Sequence, residues 1–264
     1  MEQPLVSIIM GAYNGEKTIS RCIESIINQT YTNWEFIICN DCSTDNTLKI
    51  INEYSERDSR IIILNNDRNI RLAASLNRCL DVAKGKYVAR MDADDESLPS
   101  RLEVQVKYLE EHPDVDCVGV ARIVFDEYGE HGIRRENEYP SKNDLLYMNP
   151  FAHPTIMMKK SVYNELQGYT VSEETMRAED LDLWFRFYEK EYNGYNIQTP
   201  LYRYREGLDD YSKRTIKAGI GTSKVYWNGL KRLNVKWYKR IVAFKPIITA
   251  IIPDVIMHKY HSSK

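Results

Sequence analysis

The strongest constraint on this chain is the way its hydrophobic period keeps changing. Five short β-rich runs, Val6–Met10, Glu35–Cys39, Ile61–Leu64, Tyr87–Met91 and Val115–Val120, alternate with helix-length amphipathic segments. Those segments are Lys17–Asn28, Thr44–Ser55, Leu72–Ala83 and Arg101–Glu111. Such alternation predicts βαβ units, hence an α/β fold with a mostly parallel central sheet flanked by helices. The first run is nearly all apolar, as a strand covered on both faces must be.

Beyond Val120 the pattern breaks. Residues Ala121–Tyr139 read as a hairpin or irregular excursion with turns at Gly129 and Gly132. A helix over about Arg177–Lys190 and a strand over about Tyr195–Thr199 follow. From Ser212 the chain is predicted helical, broken by Pro246 and Pro253. A soft boundary falls near Ser212, because there the charge balance changes. Ser212–Lys264 holds twelve Lys/Arg against one acid, Asp254, whereas the rest has 24 basic and 37 acidic residues. An acidic body with a basic tail suits an anionic partner for that tail.

Five cysteines, Cys22, Cys39, Cys42, Cys79 and Cys117, follow an N-terminus without a signal-peptide pattern. A reduced, cytoplasmic protein is the simplest expectation. Cys39 and Cys42 form a C-x-x-C, but no second pair or nearby histidine completes a metal site.

In an open parallel sheet, ligands bind beyond the carboxyl ends of the strands. Three polar clusters follow predicted strands: Gly11–Glu16, Asn40–Thr47 and Asp92–Ser97. In the last, Asp92 and Asp94 are two residues apart and would face the same side of an extended segment. Oxygen ligands in that arrangement suit Mg²⁺ or Mn²⁺; a solvated acidic turn before the helix near Pro99 accounts for them equally well. In the second cluster, Ser43, Thr44 and Asp45 suit the cap of the next helix. Asp41 precedes them and is free to accept a nucleobase N–H. Glycine-rich phosphate loops are absent, so a bound nucleotide is held in another way.

On a helical wheel through Arg177–Glu191, Leu183, Trp184, Phe187 and Tyr188 form one apolar stripe. Asp182, Arg186 and Glu189 fall on the opposite, solvated face, while Asp180 projects into the stripe. Asp180 is therefore a helix-dipole partner or a working group, and the second is favoured because Glu179 and Asp182 can serve the dipole. His153 precedes Pro154 and is expected to be extended, with a structural role as the ordinary reading.

Together these segments resemble the inverting nucleotide-sugar glycosyltransferases of family 2, of the bacterial cell-surface polysaccharide type. The resemblance runs from about Val6 to Arg205 and rests on four stretches in order. They begin at Val6, Asn40, Leu76 and Ala178 and contain "GAYNGE", "NDCSTDNT", "MDADD" and "AEDLDLWFRF". It implies a GT-A fold: a Rossmann-like nucleotide half over about residues 1–95 and an acceptor half over about 96–211. The basic helical extension, 212–264, would lie outside it.

By that resemblance Ala12, Tyr13, Asn14 and Asp41 line the pocket of a nucleotide-sugar donor, usually a UDP-sugar, with Arg71 beside the diphosphate. Asp92, Ala93 and Asp94 match the family's D-x-D, with Asp94 the metal ligand and Asp92 supporting it, for Mn²⁺ or Mg²⁺. Asp180 matches the base that deprotonates the acceptor hydroxyl, and Glu179 and His153 lie on the acceptor side. The acceptor implied is a glycan or lipid-linked saccharide, and nucleic acid is not among the partners. Cys42 stands where the pattern has Gly, a change that a negative φ would allow, and Ile70 and Arg71 replace glycines common in the family.

The tail mixes aromatics, bases and apolar blocks too interrupted to cross a membrane. It reads either as an interfacial anchor on an anionic membrane, at the inner face of the cell membrane, or as helices packed on the body. Two other functions compete: a Mg²⁺-dependent phosphohydrolase, and a catalytically silent nucleotide-sugar-binding module at the membrane. The first lacks the expected Gly-Thr and lysine motifs, and intact D-x-D and Glu-Asp pairs argue against the second.

Overall fold

The structure, a computed structural model, describes residues 3–207 and 215–251. The boundary expected near Ser212 and the helix breaker at Pro253 lie outside those residues. Strands β1 (Val6–Ala12), β2 (Trp34–Asn40), β3 (Ile61–Asn65) and β4 (Tyr87–Arg90) form a parallel block in the order β3-β2-β1-β4. Helices α1 (Ile19–Ile27), α2 (Thr47–Arg57) and α3 (Arg71–Val82) make the crossovers. Along β1, Ile8 and Met10 enter one core while Ile9 enters the other; β2 repeats this with Phe36 and Ile38 against Ile37 and Cys39. A period of two with both faces buried is what gives the near-continuous apolar runs.

The second half of the sheet departs from the parallel expectation. β4 pairs antiparallel with β8 (Met157–Lys159), and β8 antiparallel with β6 (Cys117–Asp126). Only β6 and β9 (Gly194–Arg205) run parallel there. The chain reaches β8 without a crossover helix packed on the sheet, so nothing forces it into the parallel direction. β7 (Gly129–Arg134) folds back on β6 as the expected hairpin, with Gly129 and Gly132 at φ +133° and +115°. Two-residue β5 (Glu96–Ser97) pairs with β9, and α4 (Arg101–Glu111) keeps its predicted bounds.

Helix α5 (Lys160–Glu165) and helix α6 (Glu179–Glu189) cover the second face of the sheet. Helix α7 (Ile216–Arg232) packs on α6, where Gly229 admits the Phe185 ring; a Cβ there would sit 2.2 Å from it. A 3₁₀ helix, Trp237–Phe244, leads into α8 (Lys245–Ile251). Pro246 does not break a helix; it occupies the first turn of α8, where its missing N–H has no partner to lose. Among the described residues no helix is long and apolar enough to cross a membrane.

The coverage by α7 also corrects the wheel reading of α6. Asp182 is only 7% exposed. It accepts hydrogen bonds from Thr170 Oγ1 at 2.6 Å and Arg186 Nε at 2.7 Å, with Arg232 of α7 at 3.4 Å. A charged face predicted to meet water is instead paired inside a helix–helix contact, where a carboxylate needs such partners.

Candidate active site

Because β1, β2 and β4 are parallel, the three loops after them emerge on one rim. The first two loops lock together. Asn14 N donates to Ser43 Oγ (3.1 Å), Asn14 Oδ1 accepts from Thr44 N (2.8 Å), and Glu16 N donates to Asp45 Oδ2 (3.1 Å). Asp45 Oδ1 also takes the N–H of Thr47 at 3.0 Å, so it closes the N-terminus of α2.

Asp41 is buried and already engaged. Its Oδ1 accepts from Asn66 Nδ2 (2.7 Å) and Ile70 N (2.8 Å), and its Oδ2 from Arg71 N (2.8 Å). A carboxylate offers about four lone-pair sites, so room remains for one further donor. Its first task is to hold the entry of α3, which the sequence reading missed. Ala12 also differs from expectation. Its side chain is buried in the core, and only its carbonyl serves the rim, accepting from Asp41 N at 2.8 Å.

Four non-glycine residues near this rim adopt left-handed backbone: Asn14 (φ +51°), Cys42 (+60°), Arg71 (+73°) and Arg177 (+73°). Cys42 therefore does not take the negative φ that would have made it an easy replacement for Gly. Each such residue costs on the order of 1–2 kcal/mol and is held only because its surroundings over-determine it. For Asn14 and Arg71 the over-determination is visible in the bonds just described.

Two cavities open side by side above the rim. The first, about 840 Å³, is lined by Tyr13, Asn14, Asp41, Arg71 and Ala93 among others. The second, about 1050 Å³, is lined by Arg90, Asn149, His153 and Asp180 among others. Six residues line both: Leu72, Asp92, Asp94, Arg177, Glu179 and Arg205. Asp92 and Asp94 thus do reach one space, although across a turn at Ala93–Asp94 rather than along an extended strand.

The acidic loop is tied at both ends. Arg90, fully buried at the end of β4, places its guanidinium 2.6 Å from Asp92 Oδ1. Arg101 lies beneath it, donating to the Arg90 carbonyl at 2.8 Å and stacking over Tyr202. Asp95, 1% exposed, accepts from Arg205 N at 2.7 Å and so pins the loop to β9. Burial, reinforced by Asp92 and Asp94, pushes the Asp95 carboxyl well above the usual carboxylate range. Within this loop, that leaves Asp92 and Asp94 as the carboxylates facing the cavities.

An ion at this wall would have few protein ligands. Among the described residues no group of three or more His, Cys, Asp or Glu is placed to hold a metal, and Asp92 Oδ1 is already taken by Arg90. Two carboxylates with the remainder supplied by phosphate oxygens and water is the coordination that Mg²⁺ and Mn²⁺ favour. The residues present therefore fit such an ion.

Asp180 sits in the first turn of α6 and reconciles the two roles expected for it. Its Oδ1 accepts the N–H of Leu181 at 2.7 Å, while Oδ2 accepts from Asn149 Nδ2 at 2.8 Å beside the second cavity. Burial raises its carboxyl above the ordinary value, against these bonds and Arg90. Glu179 is pushed up to about 7 by burial and by Asp180. His153 opens a 3₁₀ turn rather than an extended segment. Its Nε2 lies 2.8 Å from the Tyr169 hydroxyl, and burial with Arg90 nearby holds it well below the usual histidine range. His153, bonded to tyrosine, forms part of the wall of the second cavity.

Sequence reasoning missed Arg90, Asn149, Arg177 and Arg205. Arg90 had a signal, since a lone charge in a buried strand requires a partner. Asn149, in an irregular segment, had none. All five cysteines are free thiols.

A half-parallel sheet with a D-x-D loop between two cavities defines a GT-A glycosyltransferase. The model of Glycosyl transferase family 2 matches residues 7–167, and the chain belongs to that family. EpsE of Bacillus subtilis (strain 168), which carries the name of a glycosyltransferase, is 44% identical over 262 residues, 99% of this chain and 94% of that protein. WfaP of Escherichia coli, named as UDP-Glc:alpha-D-GlcNAc-diphosphoundecaprenol beta-1,3-glucosyltransferase, is 30% identical over 242 residues, 90% of each chain. Among solved structures, TarS of S. aureus in complex with UDP superposes with a TM-score of 0.66 at 19% identity, covering 93% of this chain and 80% of that one. Mannosyltransferase PcManGT of Pyrobaculum calidifontis, in complex with GDP-Man and Mn²⁺, gives 0.66 at 18%, covering 99% and 80%.

Proposed function

We propose that this chain transfers a sugar from a UDP-sugar to a hydroxyl of a lipid-linked saccharide or polysaccharide, with inversion at the anomeric carbon. The observation that carries this reading is the shared wall: Asp92, Asp94 and Glu179 line both cavities, whereas Asp180 lines only the second. A donor in the first cavity would place its diphosphate against Asp92 and Asp94, and an acceptor in the second would meet Asp180.

Each group has a role in that scheme. Tyr13, half exposed in the first cavity, offers a face to the base, and Asp41 keeps one acceptor site for a ring N–H. Arg71 and Arg177 supply positive charge near the diphosphate. Asp94, with Asp92 in support, would hold Mn²⁺ or Mg²⁺, which would supply charge neutralisation to the leaving diphosphate. Asp180 Oδ2, held by Asn149, takes the proton of the acceptor hydroxyl. The new C–O bond forms as the bond to the nucleoside diphosphate breaks on the opposite face. A raised carboxyl is the better base near neutrality.

The donor reading draws on WfaP, whose name specifies UDP-Glc, and on the UDP of TarS; the GDP-Man of PcManGT makes GDP the alternative nucleotide. WfaP and the O-antigen biosynthesis glycosyltransferase WbnJ of Escherichia coli support a polysaccharide pathway. UDP with Mn²⁺ is expected to raise the melting temperature, and UDP-sugars to be hydrolysed slowly without acceptor. If no nucleotide shifts the melt in the presence of Mn²⁺, the reading fails.

A further inference from the structure

The 3₁₀ helix Trp237–Phe244 and α8 carry an apolar surface that is exposed among the described residues. Trp237 is 75% exposed and Ile241 69%, and Tyr238, Phe244 and Ile248 are exposed beside them. Monomeric proteins seldom leave such a run of large apolar side chains in water without a partner. Before and between these residues stand Lys236, Lys239, Arg240 and Lys245, and no acid occurs in the sequence from 215 to 251. Among the described residues, the ion pairs of this region are made by Lys217, Lys224 and Arg232 instead.

The surface also has a position. The 3₁₀ turn Asp144–Leu146 packs against the Trp237–Phe244 helix. The residues after that turn, Tyr147 and Met148, are exposed, and Met148 and Asn149 line the second cavity. An apolar, basic face therefore borders the cavity that holds Asp180.

We propose that this face seats on an anionic lipid surface, with Trp237, Tyr238, Ile241 and Phe244 entering the headgroup region and Lys236, Lys239 and Lys245 meeting anionic headgroups. Aromatic rings favour that boundary, and short amphipathic helices with lysines on their flanks bind it in the plane. Charge selects this occupant over a second copy of the chain, whose matching face would bring like charges together. The inference deepens the acceptor reading, because a lipid-linked saccharide would then reach the second cavity from the same surface. Lipid binding is measured without donor or turnover, so either reading can fail while the other stands.

The full chain would be sedimented with phosphatidylcholine vesicles, with and without phosphatidylglycerol. Binding is expected only to the mixed vesicles and should weaken in high salt. Trp237→Ser with Ile241→Ser should lower the partition coefficient at least about tenfold, and Lys236→Gln and Lys239→Gln about fivefold each. These positions are exposed, so an unchanged melting temperature should accompany the loss. A second readout uses fluorescence quenching by brominated phosphatidylglycerol, since Trp34 and Trp184 are buried and Trp237 is the most exposed tryptophan; Trp237→Phe should remove most of it. Absence of binding to mixed vesicles, or equal binding to pure phosphatidylcholine, overturns the proposal. So does a dimer in solution that the Trp237 and Ile241 substitutions dissociate, which would give the face to a second copy.

Discussion

Arg90, without exposed surface, holds Asp92 by a 2.6 Å contact from inside the sheet. The carboxylate is 29% exposed and reaches the wall between two cavities, while the cation that orients it is out of reach of solvent. An ion or diphosphate approaching that wall therefore meets a carboxylate whose direction is already set, which is pre-organisation by a buried countercharge.

Arg90→Leu should lower transfer at least about tenfold, because a positioned first-contact group loses its support. The stability cost should be roughly 1–3 kcal/mol, below that of breaking a fully buried pair, since Asp92 stays accessible to water. Paired measurement of melting temperature and single-turnover rate separates the two effects.

Asp180→Asn should reduce transfer by about 10²–10⁴-fold, the range for loss of a general base. The melting shift produced by UDP and Mn²⁺ should be retained. Loss of both together would mark Asp180 as structural.

The pH profile gives a separate test. Asp180 must be ionised to accept a proton, and its carboxyl is raised by burial. Activity should therefore fall on the acid side at a higher pH than an ordinary aspartate would give. Asn149 donates to Oδ2 and favours the charged form. Asn149→Ala should move that acid limb to higher pH, which a merely structural asparagine would not do.

Glu179 predicts a stability effect of opposite sense to a salt-bridged acid. Its folded value of about 7 lies above the ordinary glutamate value of 4.5. The folded state therefore holds a proton that the unfolded state has released between those pH values. Its contribution is present at low pH and is lost as pH rises through about 7. Glu179→Gln should melt higher than the parent at pH 8 by about 1 kcal/mol, since water reaches the cavity wall and screens the charge. The gap should close toward pH 5.

Gly85 tests the packing that delivers β4 to the site. A Cβ there would lie 2.6 Å from Ser7 N and 2.7 Å from Leu5 O, both backbone atoms that cannot swing away. Gly85→Ala should cost about 1–3 kcal/mol as an overpacked site, or several degrees in a thermal melt.

The first four strands and their helices were legible because β1, β2 and β4 are buried on both faces, so burial writes itself into a local run, and β3 at the sheet edge keeps an apolar run of its own. The rim was legible for the same reason, since clusters of Asn, Asp, Ser and Thr stand out after such runs. What stayed hidden depends on partners far along the chain. Asp182 looked solvated until α7 arrived to cover it, 50 residues on. The antiparallel entry of β8 follows an excursion without a periodic pattern. Asp95 stood beside two cavity-facing acids, and what buries it apart from them includes its bond to Arg205 N, 110 residues away.

That last bond has a consequence for the order in which the protein is made. The residues that line the first cavity up to Asp94 leave the ribosome early, but the outer tether of their acidic loop belongs to β9. A nascent chain ending after that loop would carry these first-cavity residues with one end of the loop untied. Competence to grip a donor should therefore appear late in synthesis, when Arg205 has joined the sheet, and not gradually as each β-α unit is added.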